Sequence, residues 1–345
     1  TNGDNVALAE NWQGGDATSI TTPSATQSVI IPAGTTKPKL YANTSVRSAT
    51  FLTTAPYFVS TGIDLNSFTL SIKKDWILGP VASSSTVLNC NGLVEFNGAV
   101  AQSISGRTTF GNLTLNNTLG LTLTNTTGVS CILKANLGTI TTGGFLVLRS
   151  PAANSAALVD YNGVGTISGN ASVERKIGPV SGYHYLSAPV SGQVVNSTTN
   201  GWRDDFSINA AQDGISFIPG GIYTSLPTVW EYQEFVSNPS PDYGWVSATS
   251  AADAITPLKG FACVVPANVT VDLLGPLNNG AITPYSITLT DNGLNLLGNP
   301  YPAPISWNAF RSTNAGKLSL AGYKAFVTTG GYAGSYGTWD GSTGT

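Results

Sequence analysis

The chain has no methionine, one histidine and three cysteines, and only 10% of its 345 residues are charged. Each shortage removes a class of function. A Ser-His-Asp triad would have to use His184, which sits in an alternating strand with Tyr183 and Tyr185 on the opposite face. One histidine and three scattered cysteines exclude the usual zinc constellations, which need ligands clustered at short spacing. With a formal net charge of −3 and no basic stripe, there is nothing to grip a phosphate backbone. No apolar run approaches the roughly 18–20 residues of a membrane span. No Walker-type phosphate loop is present, and the glycines punctuate turns. Helical periodicity is nearly absent; residues 250–255 offer one turn at most. A chain opening TNGDNVALAE without methionine reads as a processed product whose signal peptide has been removed.

What is present is alternation. Gly92–Gly98 (GLVEFNG), Gln102–Gly106 (QSISG), Gly111–Asn117 (GNLTLNN), Leu119–Asn125 (LGLTLTN), Gly144–Arg149 (GFLVLR) and Gly165–Val173 (GTISGNASV) are short in/out runs separated by Asn and Gly turns. They recur at about 20–25 residues, the period of a stacked solenoid whose coils bury their inner faces together. Leu93, Val94 or Phe96, Leu113, Leu115, Leu121, Leu123, Leu146 and Leu148 are the expected inward rows. The segment from Trp12 to Gly34 is expected to cap the first coil. Asn112, Asn116, Asn125 and Asn268 stand in glycosylation sequons but read first as ladder and turn residues. Cys90 and Cys131 lie about two periods apart, so they could stack and bond; the alternative is three small buried hydrophobes.

Near Gly178-Pro179 the texture changes. Of seven tryptophans only Trp12 and Trp76 come earlier. Short strands such as YHYLS, VWEY, GWV, GFACVV and SITLT alternate with Pro- and Gly-rich turns, as in an antiparallel sandwich-like domain. Gly182–Pro189 echoes Gly293–Pro300, either as an internal duplication or as the ordinary grammar of a strand ending at proline. The expected division is a solenoid with its cap at 1–177, an aromatic-rich domain at 178–329 and a Gly-rich tail or linker at 330–345.

The order of these motifs resembles a family. Asn11–Gly15 (NWQGG) and Ser28–Gly34 (SVIIPAG) come first, then the FNG, AQSISG and FGNLTLNN repeats. Ser181–Gly192 (SGYHYLSAPVSG), Ile255–Val265 (ITPLKGFACVV) and Leu294–Trp307 (LNLLGNPYPAPISW) follow. The chain is similar to the large secreted, adhesin-like surface proteins of Bacteroidetes-type bacteria exported by type IX secretion. That resemblance implies an extracellular or cell-surface location and a right-handed parallel β-helix followed by a β-sandwich-like module, all-β throughout. The family's C-terminal sorting domain is not recognisable here.

Chemistry is sparse. Between Val81 and Gly169 only Glu95 and Asp160 are acidic, whereas glycosidic hydrolysis needs paired carboxylates. Lys134 and Arg149 stand without acidic partners in the sequence. In the second domain Asp204, Asp205 and Asp213 form the best acidic cluster, a loop that could hold calcium or simply turn in solvent. Trp202, Trp230, Tyr232, Tyr243 and Trp245 could stack on sugars or form the core and rim of the second domain. In the tail, Tyr332, Tyr336 and Trp339 alternate among glycines and could add as a strand to a neighbour, joining copies head to tail. The expected function is that of a non-enzymatic extracellular structural or adhesive protein, a surface stalk or fibre subunit. Its expected partners are copies of itself, neighbouring surface proteins or glycans, and neither nucleic acid nor a membrane. The alternative is a carbohydrate-binding or carbohydrate-active β-helix protein.

Overall fold

The computed structural model describes residues 5–7, 25–26, 28–31, 39–51, 61–78, 85–88, 90–153, 155–195, 201–206, 228–234, 244–247, 254–282, 286–289, 293–318, 322–327 and 335–339. Most of the Trp12–Gly34 segment, as well as Asp213, Tyr243 and Tyr332, lie outside them. The chain divides into two compact units, residues 1–151 with 156–172, and residues 152–155 with 173–345.

The first unit is made of short strands in parallel sheets. One sheet has eight strands: Asn5–Ala7, Ser28–Ile31, Ala49–Phe51, Trp76–Leu78, Gln102–Ser105, Leu121–Leu123, Thr139–Thr141 and Thr166–Ser168. A six-stranded sheet holds Thr44–Val46, Thr69–Ile72, Leu93–Phe96, Asn112–Asn116, Ile132–Leu137 and Leu158–Asp160. A further sheet takes Thr61–Asp64, Ser85–Leu88, Thr108–Phe110, Thr127–Val129 and Leu146–Leu148 from this unit. From Gln102 onward the chain visits the three in unchanging order. It leaves the eight-stranded sheet, passes through the sheet of Thr108–Phe110, crosses the six-stranded sheet and returns.

Alternation decides what goes inside. In the six-stranded sheet, Leu70, Val94, Leu113, Leu133 and Val159 follow one another in register and are buried. Ile72, Phe96, Leu115 and Ala135 form a second buried column. Val94 and Phe96 therefore point inward and Leu93 does not, because a strand can bury only every second residue. The other expected inward leucines are buried. The largest core side chain here is Trp76. Its ring lies 4.5 Å from that of Phe51 and 5.0 Å from that of Phe110, and its Nε1 donates to Thr108 Oγ1 at 3.1 Å.

Asparagines clamp successive strands. Asn112 Nδ2 donates to Gly92 O at 2.9 Å while its Oδ1 accepts from Ile132 N at 3.1 Å, each partner 20 residues away. Asn43 Oδ1 likewise accepts from Thr69 N at 2.9 Å. Asn136 Nδ2 donates to Asn116 Oδ1 at 3.0 Å, again across 20 residues. Asn112 and Asn116 are ladder residues, as their positions suggested. Gly120 and Gly138 take φ of +88° and +79° where the chain turns into the eight-stranded sheet; a side chain at Gly138 would strike Asn117 O. Cys90 and Cys131 are joined by a disulfide, with Cα atoms 5.8 Å apart.

The second unit contains a four-stranded antiparallel sheet of Gly182–Leu186, Phe261–Val265, Val229–Tyr232 and Trp245–Ser247, in that order. Its buried face packs with Thr270–Pro276 around Val190, Trp202, Phe206, Val229, Phe261, Val265 and Leu273. The two echoing segments take different forms here. Gly182–Leu186 is a strand, whereas Leu297 makes only a single bridge to Lys259. Their ends nevertheless meet, because Asn278 Nδ2 donates to both Ala188 O and Pro300 O, at 3.0 and 2.8 Å. Beyond helix Trp307–Thr313, the strands Tyr323–Val327 and Ser335–Trp339 form an antiparallel hairpin. The 330–345 segment is therefore not a free tail over 335–339: Tyr336 and Trp339 lie opposite Phe326 and Tyr323 of the same chain. Among the described residues no helix is long and apolar enough to cross a membrane.

Candidate functional site: the aromatic face of the antiparallel sheet

Directly opposed residues of an antiparallel pair share a face. His184 opposes Cys263, which in turn opposes Val229, so these three lie on the face that carries the core. Tyr185, Ala262 and Trp230 are opposed on the other face, as are Tyr183 with Val264 and Tyr232 with Trp245. Alternation thus collects five aromatic side chains, Tyr183, Tyr185, Trp230, Tyr232 and Trp245, on one side of the sheet.

Three of them form a contiguous group. The Tyr232 and Trp245 rings stand edge to face with centroids 5.2 Å apart, and Tyr185 lies 5.9 Å from Trp245. Gly244 makes this packing possible: a Cβ there would sit 2.4 Å from Tyr232 Cε2, so only glycine lets the phenol lie against the strand. Tyr185, Tyr232 and Trp245 are half-buried and Tyr183 is exposed. Trp230 Nε1 is buried without a hydrogen-bond partner among the described residues. The acid of this strand, Glu231, alternates to the opposite side, where it pairs with Lys259; the Lys259 ammonium also sits 5.2 Å from the centre of the Phe261 ring. Among the described residues, none that these four strands place on the aromatic face is charged.

Of the aromatic residues expected to act together, Trp230, Tyr232 and Trp245 share this face. Trp202 does not: it is 1% exposed and packs against Phe261 and Phe206 at 5.3 and 6.1 Å, a core residue. Tyr185 joins the first three, and the alternation of YHYLS, which sets it on the face opposite His184, is the sequence signal for its place there.

The acidic group also changes membership. Asp204 and Asp205 end the short helix Trp202–Asp205, and Asp272 of Thr270–Pro276 completes the trio, with one ligand oxygen from each within 4.8 Å of the others. Asp272 is 67 residues from Asp205, and nothing local in the sequence links them. Three carboxylates offer oxygen to a hard cation, but calcium takes about six to eight such ligands. Asp205 is pushed up from 3.8 to about 7, first by its burial and then by the neighbouring charges of Asp272 and Asp204, against the N–H that Asp272 donates to it. Such an acid holds its proton more tightly folded than unfolded. Its contribution to stability is complete below about pH 4 and is lost as pH rises through 7. We expect the melting temperature to fall from pH 5 to pH 8, and Asp205→Asn to flatten that fall. An unchanged slope would show that Asp205 does not titrate there.

Among the described residues, none forms a triad with His184. Its Nε2 lies 3.4 Å from Val180 O, and the Cys263 thiol opposite is driven well above its ordinary range by burial. We expect His184→Ala to leave any measured hydrolase turnover unchanged; a loss of about a hundredfold would identify a general base.

On the outer side of the six-stranded sheet, Ser71, Glu95, Thr114, Lys134 and Asp160 follow in register. Lys134, expected to stand alone, pairs with Asp160 at 2.9 Å, which holds that carboxyl below its usual range. Glu95 accepts from Asn97 and Asn116 at 2.6 and 3.2 Å.

Compared with known proteins, residues 71–329 match the model of a family described as a domain of unknown function (DUF8693). No curated protein and no solved structure matches the chain.

Proposed function

The chain belongs to the DUF8693 family, and we propose that it is a non-enzymatic extracellular protein with a structural or adhesive role at a cell surface. In this reading the first unit is a solenoid, a right-handed parallel β-helix that serves as a stiff spacer, and the second unit makes contacts. The observation that carries the reading is the unchanging order in which the chain visits three parallel sheets. Parallel strands need crossover connections, and these wind right-handed in nearly all known cases. Winding of that kind stacks coils at roughly 4.8 Å each.

Two further observations support it. Glu95 and Asp160 stand three register steps apart, about 14 Å at that spacing, whereas glycosidase carboxylates lie roughly 5–9.5 Å apart. The Cys90–Cys131 disulfide suits an oxidising compartment outside the cytosol. The resemblance to exported adhesin-like proteins points the same way. The test has two arms. Antibody against this chain should stain intact, unpermeabilised producing cells, and the purified chain should release no reducing ends from a panel of polysaccharides. Staining only after permeabilisation, or steady release of reducing ends, would overturn the reading.

A further inference from the structure

We propose that Asn279-Gly280 is a self-modifying site, at which the Gly280 amide nitrogen displaces ammonia from the Asn279 carboxamide. The inference stands apart from the adhesive reading, since it needs only the geometry of one turn.

The reaction is intramolecular. The Gly280 nitrogen gives its proton to hydroxide and bonds to Asn279 Cγ. The Cγ–Nδ2 bond breaks, and Nδ2 takes up a proton and leaves as ammonia. The product is a five-membered succinimide, and water then adds to one of its two carbonyls. Opening the new N–Cγ bond leaves aspartate. Opening the main-chain peptide bond leaves isoaspartate, in which the backbone runs through Cβ. Nothing is oxidised or reduced. Such a closure is fast only where the two groups are held together and the backbone has room to fold into the ring.

The sequence contains seven Asn-Gly pairs, of which Asn2, Asn200 and Asn292 lie outside the described residues. The fold treats the others differently. Gly98 N donates to Gln102 Oε1 at 3.0 Å, and the Asn97 carboxamide is held by Glu95 at 2.6 Å. Asn162 donates twice to Asp160 Oδ1, and a Cβ on Gly163 would lie 2.1 Å from Ala135 O. Gly92 is buried against Leu65. Gly201 and Gly293 give their N–H groups to Asp204 and Glu234. Of these glycines only Gly280 directs its N–H at the carboxamide before it, 2.7 Å from Asn279 Oδ1. That contact sets the attacking nitrogen beside the carbonyl it attacks. Both residues are exposed, so hydroxide and water reach them. Gly280 has a φ of +70° and open space where a side chain would stand, which leaves the backbone room to close.

The site lies in a knot of the second unit. Asn278 is buried and ties Ala188 O to Pro300 O, while Tyr301 Oη donates to Gly280 O at 2.7 Å. Isoaspartate lengthens the backbone between these two ties, and either product adds a carboxylate there. Modification therefore slackens the knot.

The experiment uses the full chain, held at mildly alkaline pH, sampled over weeks and mapped by peptide mass spectrometry, with isoaspartate counted by methyltransferase labelling. In the folded chain Asn279 should deamidate about tenfold faster or more than Asn91, Asn97 and Asn162, whereas in urea the four should react at similar rates, because only local sequence acts there. The rate should rise with pH, as hydroxide removes the Gly280 proton. Asn279→Gln would have to close a larger ring and should stay unmodified. Gly280→Ala, which crowds the turn and strains its φ, should slow the reaction about tenfold. Amide exchange around residues 186–190 and 298–302 should quicken in the aged parent and not in aged Asn279→Gln. If Gly280→Ala loses its melting transition, the four asparagines of the parent chain decide. Asn279 reacting no faster than the other three in the folded chain, or leading them equally in urea, would overturn the proposal. Unchanged exchange in the modified protein would overturn the slackening. None of these outcomes alters the staining of intact cells, so the two proposals fail separately.

Discussion

Replacing Leu115 by aspartate is expected to cost on the order of 5 kcal/mol, enough to remove much of a typical domain's stability. Leu115 is fully buried between Phe96 and Ala135, its register partners on the adjacent strands. The substitution removes a core side chain, worth roughly 3 kcal/mol with the cavity it leaves. It also places a carboxyl where ionisation is so unfavourable that the group must take up a proton or draw water in. Leu115→Met is the control: it keeps the volume and should cost less than about 1.5 kcal/mol. Urea unfolding of the three proteins measures the difference. If the aspartate variant unfolds within about 1 kcal/mol of the parent, Leu115 is not an interior residue and the inward columns are misassigned.

Gln102→Leu comes next in size, and for the opposite reason. Gln102 is buried, and every hydrogen-bonding position of its amide is used. Nε2 donates to Ile72 O and Lys74 O, both at 2.9 Å, and Oε1 accepts from Gly98 N and Asn117 Nδ2, both at 3.0 Å. Asn117 in turn donates to Val100 O at 2.6 Å and accepts from Leu119 N at 2.9 Å. One side chain therefore ties the turn after Leu93–Phe96 to the turns of neighbouring repeats. Leucine fits the volume but removes four hydrogen bonds and takes from Lys74 O and Gly98 N the partner they had, while Ile72 O keeps Asn97 N and Asn117 Nδ2 keeps Val100 O, so the expected loss is about 3–4 kcal/mol. Gln102→Glu separates polarity from shape: protonated at low pH, it keeps the acceptor and one O–H donor in place of two N–H donors, and should fall between parent and leucine there. A leucine variant as stable as the parent would mean that water replaces the amide at no cost.

Such a knot shows where sequence reading runs out. The alternation of Leu113-Thr114-Leu115 announces a strand, and the recurrence of such runs announces neighbours, since both signals are local. Gln102 reads as one more polar residue in QSISG; its role depends on carbonyls at Ile72 and Lys74 that only the fold brings near. Trp202 and Asp272 teach the same lesson from opposite sides. Trp202 sits in a run of turn-forming residues and looks available, yet the short helix turns it into the core. Asp272 looks like a polar position in an alternating strand, yet it faces two acids from a distant helix. Leu93 against Val94 was a question of phase, which the sequence leaves open where two apolar residues are adjacent. The hairpin of Tyr323–Val327 and Ser335–Trp339 was hidden because glycine-rich runs carry little strand signal of their own.

The asparagine clamps set limits on how such a chain can change its length over evolutionary time. Asn112 and Asn116 reach partners 20 residues away, whereas the hydroxyls of Thr139 and Thr166, also on adjacent strands, meet at 2.9 Å across 27 residues. The ladder is preserved in both cases, and the extra residues are taken up between strands. Insertions and deletions should thus be harmless at the corners and ruinous inside a strand, where a slip of one residue exchanges the buried face for the wet one. Length differences among members of the family should cluster in segments such as 150–157, and whole repeats should be gained or lost as units.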